Sequence, residues 1–192
     1  MKLGGVAAIC AAGIVSVTAA FSAVNAEAKA LHPPGALPEG GFNSLCIKCG
    51  KCIEACPYKA IHAASFEYGS SVGQPVINAR EQACRLCEDF PCIEACPTGA
   101  LSPVGGRQDV RMGRAVIDEQ TCLSFKGMRC EVCYRACPLI DVAISIDYGA
   151  REGDDIHALF RPVIQDACVG CGLCVERCVV SDPAPAITID PN

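Results

Sequence analysis

The chain has 192 residues, of which 17 are cysteine, none is tryptophan and 5% are aromatic. Such a sequence lacks the large apolar side chains for an ordinary core, so cysteines must hold the fold as disulfides or metal ligands. The formal net charge is −5, and the basic residues are scattered along the chain, which argues against a nucleic-acid surface.

Residues 1–26 are predicted to be an export signal or a membrane anchor. Lys2 precedes an uncharged run over residues 3–24, and small residues at 22–26 resemble a signal-peptidase site. At about 1.5 Å per residue, a helix over this run could just cross a bilayer, although its Ala and Gly content makes the apolar signal weak. Cys10 lies in this run without Cys neighbours, and we interpret it as a small apolar residue.

Residues 27–45 are predicted to form a Pro-rich tether. Pro33, Pro34 and Pro38 exclude a regular helix over residues 31–38 and favour an extended chain.

The other 16 cysteines fall into four motifs of one recurrent spacing, which we number in chain order. They are Cys46, Cys49, Cys52 and Cys56 in motif one; Cys84, Cys87, Cys92 and Cys96 in motif two; Cys122, Cys130, Cys133 and Cys137 in motif three; and Cys168, Cys171, Cys174 and Cys178 in motif four. Motif one is C-x2-C-x2-C-x3-C-P without deviation, motif two has a longer middle gap, motif three has a longer first gap, and motif four ends on Val179 instead of Pro. This repetition points to one kind of site used four times.

The spacing has a physical reason in a [4Fe-4S] cluster, which needs four thiolates around a compact inorganic core. The first three cysteines of a motif curl around one side of a cluster, and a short helix carries the fourth to the other cluster of a pair. The following Pro helps to end that helix. We therefore predict four [4Fe-4S] clusters with all 16 cysteines as iron ligands.

Disulfides and zinc are the competing interpretations. Disulfides are common in Cys-rich exported chains, but they do not require four recurrences of one close spacing. Zinc sites use two C-x2-C pairs separated by a longer gap, whereas each motif here has three or four cysteines close together. The pattern therefore favours iron–sulfur clusters.

The predicted fold class is α+β, with tandem bacterial-type 2×[4Fe-4S] ferredoxin modules in which clusters replace the apolar core. The β-branched segments between motifs predict short strands arranged as hairpins. These segments are residues 60–63, 75–78, 115–118, 143–147, 161–164 and 186–190.

Two ways of pairing the motifs remain open. Pairing in chain order, which we favour, gives a first module at residues 46–107 with motifs one and two, and a second at residues 108–192 with motifs three and four. A nested arrangement would pair motif two with three and motif one with four. Motif two resembles the second motif of the iron–sulfur subunits of membrane-linked reductases that are nested in this way.

Few other residues invite a functional interpretation. His32, His62 and His157 are interpreted as surface or strand-end residues, because the cysteines already complete the clusters. Arg107, Arg111 and Arg114 fall in a hairpin predicted before motif three, either as a solvated loop or as a docking site for an acidic partner. Lys126 to Arg129 form either a basic flap over a cluster or a segment packed against it. No catalytic residues and no flavin, nicotinamide or molybdopterin pocket are predicted.

The chain resembles the NapG/MauM ferredoxin-type family over nearly its whole length after the apolar run. The resemblance rests on the tether His32 to Glu39, on the Cys92 to Leu101 stretch, and on Thr121-Cys122-Leu123 followed by Cys130 to Asp141. The long first gap of motif three and the ending Cys178-Val179 are also similar to that family.

The resemblance implies a periplasmic electron carrier with four [4Fe-4S] clusters, an electron-transfer subunit and not a stand-alone catalyst. It would relay electrons from a NapH-like membrane quinol dehydrogenase toward periplasmic nitrate reductase or its cytochrome. The alternatives are a MauM-like role in methylamine utilisation and service to another periplasmic reductase. Two hypotheses come from other classes. One is a structural or assembly protein in which metal only holds the fold. The other is an enzyme with an open iron, which would need a cluster that lacks one Cys ligand, whereas all four motifs have four cysteines.

One feature departs from the resemblance. Such proteins normally begin with a twin-arginine signal, whereas this sequence has only Met1-Lys2 before its apolar run. We expect an in-frame start with an Arg pair upstream of Met1.

Overall fold

The structure is a computed structural model that describes residues 29–151 and 154–192. The predicted export segment and Cys10 lie outside these residues. Within the described ranges, no helix combines the length and the apolar character that crossing a membrane requires.

Short helices and strands alternate along the chain. The helices are α1 Glu39–Leu45, α2 Lys51–Ala55, α3 Pro91–Glu94, α4 Val132–Ala136 and α5 Leu173–Arg177. The strands are β1 Ile61–Ala63, β2 Pro75–Ile77, β3 Gly113–Ile117, β4 Ile144–Arg151, β5 Asp154–Ile164 and β6 Ile187–Pro191. Two 3₁₀ segments cover Phe66–Ser71 and Arg107–Asp109.

The helices α2 to α5 each belong to one cysteine motif and join its third cysteine to its fourth. Gly50 and Gly172 precede α2 and α5 with φ values of 77° and 84°, which turn the chain sharply before the helix begins. Cys56 and Cys178 cap the ends of these helices with φ/ψ outside the helical region, so the fourth cysteine points away from the first three. The predicted short helices are therefore present.

Three antiparallel strand pairs form the sheets. β1 pairs with β2, β4 with β5, and β3 with β6. The first two pairs are the hairpins predicted between motifs one and two and between motifs three and four. The hairpin predicted before motif three is wrong, because its strand β3 pairs with the C-terminal strand β6 in the register Gly113 to Pro191. The first half of the chain has a smaller long-range pairing, an isolated antiparallel bridge between Ala36 and Leu101.

The Pro-rich tether is part of the packed structure. Its residues 31–38 form no helix, as predicted, but Leu31 is 5% exposed and both Pro33 and Pro34 are fully buried. The backbone amide of Ile77 donates a hydrogen bond to the carbonyl oxygen of Leu31, and α1 follows directly. The segment therefore contributes to the core where the sequence predicts an extended linker.

The core combines cysteines with a small number of apolar side chains. Phe42, Leu86 and Val110 are fully buried, and they belong to one cluster with Cys52, Cys84, Cys92 and Cys171. This agrees with the expectation that cysteine sites take the place of a large apolar core.

Candidate metal centres

The structure gathers the 16 cysteines into four sets of four, which we call quartets. Each takes three cysteines from one motif and one from another. The first is Cys46, Cys49, Cys52 and Cys96; the second Cys56, Cys84, Cys87 and Cys92; the third Cys122, Cys130, Cys133 and Cys178; and the fourth Cys137, Cys168, Cys171 and Cys174. The members of the first, third and fourth quartets line common cavities, and those of the second interact electrostatically with one another.

The fourth cysteines show how the motifs pair. Cys56 of motif one joins the quartet of motif two, and Cys96 makes the reverse exchange. Cys137 and Cys178 make the same exchange between motifs three and four. Fourth cysteines are therefore exchanged between motifs that are neighbours in the chain, one with two and three with four. The nested arrangement is not found.

The donor sets fit an iron–sulfur cluster better than a single metal ion. In the described part of the chain, no three His, Cys, Asp or Glu side chains are placed to hold one ion, as zinc with its ligands at about 2.3 Å would require. All the described cysteines are free thiols. The cysteines of the first, third and fourth quartets each surround a small cavity that is partly open to solvent. Four thiols around such a gap are the ligand set of a cluster.

Burial controls the protonation of several thiols. Burial, together with neighbouring cysteines, raises the pKa of Cys52 to about 11 and those of Cys84, Cys92 and Cys133 to about 12. These groups are neutral thiols at pH 7 unless a cation takes the place of the proton. Since iron binds the thiolate, cluster insertion must release protons here.

Cys96 is the exception, since its pKa is lowered. Burial raises this pKa, but the backbone amides of Leu101, Thr98 and Ala100 and the Thr98 hydroxyl together outweigh that effect. The Thr98 Oγ1 atom lies 3.8 Å from the Cys96 sulfur. These donors favour the charged sulfur, as they would in a ligand to iron.

Backbone amides also donate to other sulfurs. The amides of Ala60, Leu86 and Ala115 reach the sulfurs of Cys56, Cys84 and Cys168 at 3.4, 3.5 and 3.4 Å. Hydrogen bonds to the ligand sulfurs are one of the factors that set a cluster's reduction potential.

The quartets differ in their access to solvent. Cys49 of the first quartet is exposed, whereas Cys84 and Cys92 of the second and Cys171 and Cys174 of the fourth are buried. Among the described cysteines, the most exposed residue therefore belongs to the first quartet.

The second and fourth quartets meet between the two halves of the chain. The backbone amide of Cys84 donates a hydrogen bond to the carbonyl oxygen of Cys171 at 3.0 Å. Thiols of other quartets are also close enough to affect each other's pKa, namely Cys52 with Cys92 and Cys133 with Cys174.

The arginines before motif three have structural partners. Arg107 Nε donates to the carbonyl oxygen of Leu86 at 2.6 Å, and Arg114 Nη1 lies 2.7 Å from Asp166 Oδ1. Arg111 donates to backbone carbonyls of its own loop. These contacts favour a structural role over docking of an acidic partner.

The remaining predicted residues also make local contacts. Arg129 stacks over the Phe160 ring at 4.7 Å, and Ser124 Oγ donates to the carbonyl oxygen of Cys130. Neither contact decides whether residues 126–129 form a flap over a cluster or pack against it, so both interpretations stay predictions. His32 contacts Phe42 and the carbonyl oxygen of Pro75, and His62 lies in β1. The side chain of His157 lies outside the described residues.

Sequence reasoning missed Arg80 and Glu176. Glu176 is 13% exposed and accepts hydrogen bonds from the Ala83 amide and from Arg85. Arg80 donates to carbonyl oxygens at the end of α5, those of Val175 and Cys178. The available signal was a charge inside the C-x3-C segment of motif four, but Glu54 and Glu94 take the same place in motifs one and two.

Comparison with known proteins gives two kinds of match. Models of the 4Fe-4S dicluster domain match residues 45–100 and residues 114–179. The chain is 44% identical to the ferredoxin-type protein NapG of Escherichia coli over 94% of its own length and 78% of that protein. It is 40% identical to the methylamine utilization ferredoxin-type protein MauM of Methylorubrum extorquens, over 96% of its own length and 83% of that protein. The MauM of Paracoccus denitrificans is 38% identical, over 91% of this chain and 78% of its own.

Proposed function

Because the chain belongs to the NapG/MauM family of ferredoxin-type proteins and is an iron–sulfur electron carrier, we propose that it relays electrons from a NapH-like membrane quinol dehydrogenase toward periplasmic nitrate reductase or its cytochrome. The observation that carries the proposal is the exchange of fourth cysteines, by which 16 thiols form four complete quartets. Each quartet is suited to one [4Fe-4S] cluster, which gives four clusters in the chain.

A bound cluster would accept and release one electron at a time. The protein's own residues hold the thiols in place, exclude water and donate hydrogen bonds to sulfur. The short helices α2 to α5 hold the thiols in place, and buried apolar residues such as Leu86 and Val110 exclude water. The backbone amides of Ala60 and Ala115 donate hydrogen bonds to cysteine sulfurs.

Domain organisation and location are part of the proposal. We assign the first ferredoxin-like module to residues 46–107 and the second to residues 108–192, with residues 27–45 as the connection to the export signal or anchor at 1–26. The protein would act in the periplasm, attached to the inner membrane by that segment or by its quinol-oxidising partner. The two dicluster-domain matches, at residues 45–100 and 114–179, each overlap a different assigned module and support the division.

A second candidate is electron transfer in methylamine utilisation. The identity of 40% with MauM, over 96% of the chain, is close to the value for NapG and favours this alternative equally on sequence. The gene neighbourhood discriminates between the two. Genes for a quinol-oxidising membrane protein and a molybdenum reductase would support the nitrate role, and genes for methylamine oxidation the other.

The proposal is tested with the protein purified without oxygen. Iron and sulfide analysis should give about 16 of each per chain, and the dithionite-reduced protein should show EPR signals of cubane clusters. The reduced protein should then donate electrons to purified periplasmic nitrate reductase, and a NapH-like quinol dehydrogenase should re-reduce it. Zinc, or iron without redox signals, would indicate a structural protein instead. Full clusters without electron transfer to nitrate reductase would leave the MauM-like role.

A further inference from the structure

Two cysteines take part directly in the contact between the two modules. The Cys84 amide donates to the Cys171 carbonyl oxygen at 3.0 Å, and both residues are buried, at 9% and 8% exposed. Cys84 belongs to the second quartet and Cys171 to the fourth. The two quartets are thus joined by a single backbone hydrogen bond between two of their ligand residues.

A single carboxylate holds the chain on both sides of Cys84. Glu176 Oε2 accepts the Ala83 amide at 2.8 Å, and Glu176 Oε1 accepts Arg85 Nη2 at 2.9 Å. Ala83 and Arg85 are the two neighbours of Cys84 in sequence, and Glu176 lies two residues after Cys174 of the fourth quartet. The Glu176 side chain is 13% exposed and that of Arg85 24%, so this ion pair is better shielded from solvent than most surface pairs.

Arg80 adds a second attachment from the same module. Its Nη1 atom donates to the carbonyl oxygens of Val175 at 2.9 Å and Cys178 at 3.0 Å, at the C-terminal end of α5. The Val175 carbonyl also accepts the Cys178 amide at 3.2 Å, and the C-terminal end of a helix favours a cation such as Arg80. The residues around motif two therefore contact both the start and the end of motif four.

We propose that Glu176 is a positioning residue that holds the second and fourth quartets side by side, so that the four quartets form one unbroken series in the order first, second, fourth, third. The inference deepens the proposed function and rests on it, because it explains how two separate modules act as one carrier. The order differs from that of the motifs in the chain. The first and third quartets are then the two ends, and the exposed residue Cys49 belongs to one of them.

The test compares Glu176→Ala with Glu131→Ala in the full chain purified with its clusters. Glu131 is a matched control because its side chain is 12% exposed and binds two arginines, Arg129 and Arg135, as that of Glu176 binds Arg85 and Arg177. Glu131 and its two partners, however, all lie in the second module. We expect amide hydrogen exchange at Cys84 and Ala83 to become about tenfold faster or more in Glu176→Ala, and unchanged in Glu131→Ala. We expect the EPR signal of the fully reduced protein to lose its inter-module magnetic interaction in the first variant alone, with iron content unchanged.

Other outcomes separate the alternatives. If Glu176→Ala is insoluble, Arg85→Met removes one of the two attachments and should give the same changes at smaller amplitude. The proposal would be overturned if the soluble variants showed unchanged amide hydrogen exchange at Cys84 and an unchanged magnetic interaction by EPR. It would also be overturned if Glu131→Ala changed both measurements as much as Glu176→Ala does. Failure of electron transfer to nitrate reductase, with these two readouts as expected, would instead count against the proposed function and leave the positioning role intact.

Discussion

Gly172 lies so close to Ala79 that a Cβ atom added to the glycine would come within 2.5 Å of the Ala79 Cβ. Gly172 belongs to motif four and Ala79 precedes motif two, so this close approach helps the two modules fit together. Gly50 occupies the same place in motif one, directly after the second cysteine, with nearly the same φ, but nothing lies within 4 Å of its added Cβ.

This pair gives a matched test of the fit between modules. Both Gly172→Ala and Gly50→Ala incur the backbone cost of a positive φ, which is about 1–2 kcal/mol for a non-glycine residue. Gly172→Ala should lose a further ~1–3 kcal/mol through overpacking against Ala79. Denaturant-induced loss of cluster absorbance, measured without oxygen, gives the comparison. Equal loss in the two variants would show that the contact with Ala79 relaxes without cost.

The exchange of fourth cysteines predicts how double variants combine. Cys49 and Cys96 belong to one quartet, so Cys49→Ala with Cys96→Ala should lose about four irons, as each single variant does. Cys49→Ala with Cys56→Ala removes ligands from two quartets and should lose about eight, although both residues lie in motif one. Iron and sulfide analysis of the purified variants gives the numbers. The reverse result would mean that each motif holds its own cluster. Cys10→Ala is a control variant that should lose no iron.

The hydroxyl of Thr98 is expected to tune the first quartet. Thr98→Val removes a donor to the Cys96 sulfur and should make the reduction potential of that cluster more negative, because the reduced state carries the greater negative charge on sulfur. A net hydrogen bond contributes about 0.5–1.5 kcal/mol, and about 1.4 kcal/mol corresponds to 59 mV for one electron. A shift of tens of millivolts is therefore expected in an EPR-monitored titration. Thr121→Val is the control, because the Thr121 hydroxyl bonds to Asp118 and not to a sulfur. A potential unmoved by Thr98→Val would contradict the assignment.

Exposure of Cys49 predicts which cluster loses iron first. A colourless, water-soluble iron chelator added without oxygen should remove iron in a fast phase, equivalent to one cluster, from the first quartet. The buried quartets, which contain Cys84 and Cys171, should follow much more slowly because the chelator must await local opening. The fast phase should be missing in Cys96→Ala, which lacks that cluster. Its persistence there would place the accessible cluster elsewhere.

Local spacing made the cysteine quartets and short helices predictable. Three cysteines within seven residues, as in Cys46 to Cys52, can reach one centre only by a tight turn, and a following helix must carry Cys56 away. The strands β1, β2, β4 and β5 were also predictable from sequence, because β-branched residues next to turn residues identify short strands. The partner of β3 was not predictable. Its pairing with β6 joins Ala115 to Ile189 across more than 70 residues, and nothing in either strand specifies the other.

The motif spacing indicated the type of centre and predicted its cysteine ligands and the crossing of each fourth cysteine, since these follow from the reach of a few consecutive residues. The pairing of Cys56 with motif two and not motif four, and the meeting of the second and fourth quartets at Cys84 and Cys171, became visible only in the folded structure. It also showed that Pro33 and Pro34 are buried where their composition suggests an extended tether. The physical reason is that these contacts depend on shape and on polar groups such as Glu176, whose partners lie about 90 residues away in sequence. Glu54 and Glu94 take the same place in motifs one and two, so the sequence pattern does not single out Glu176.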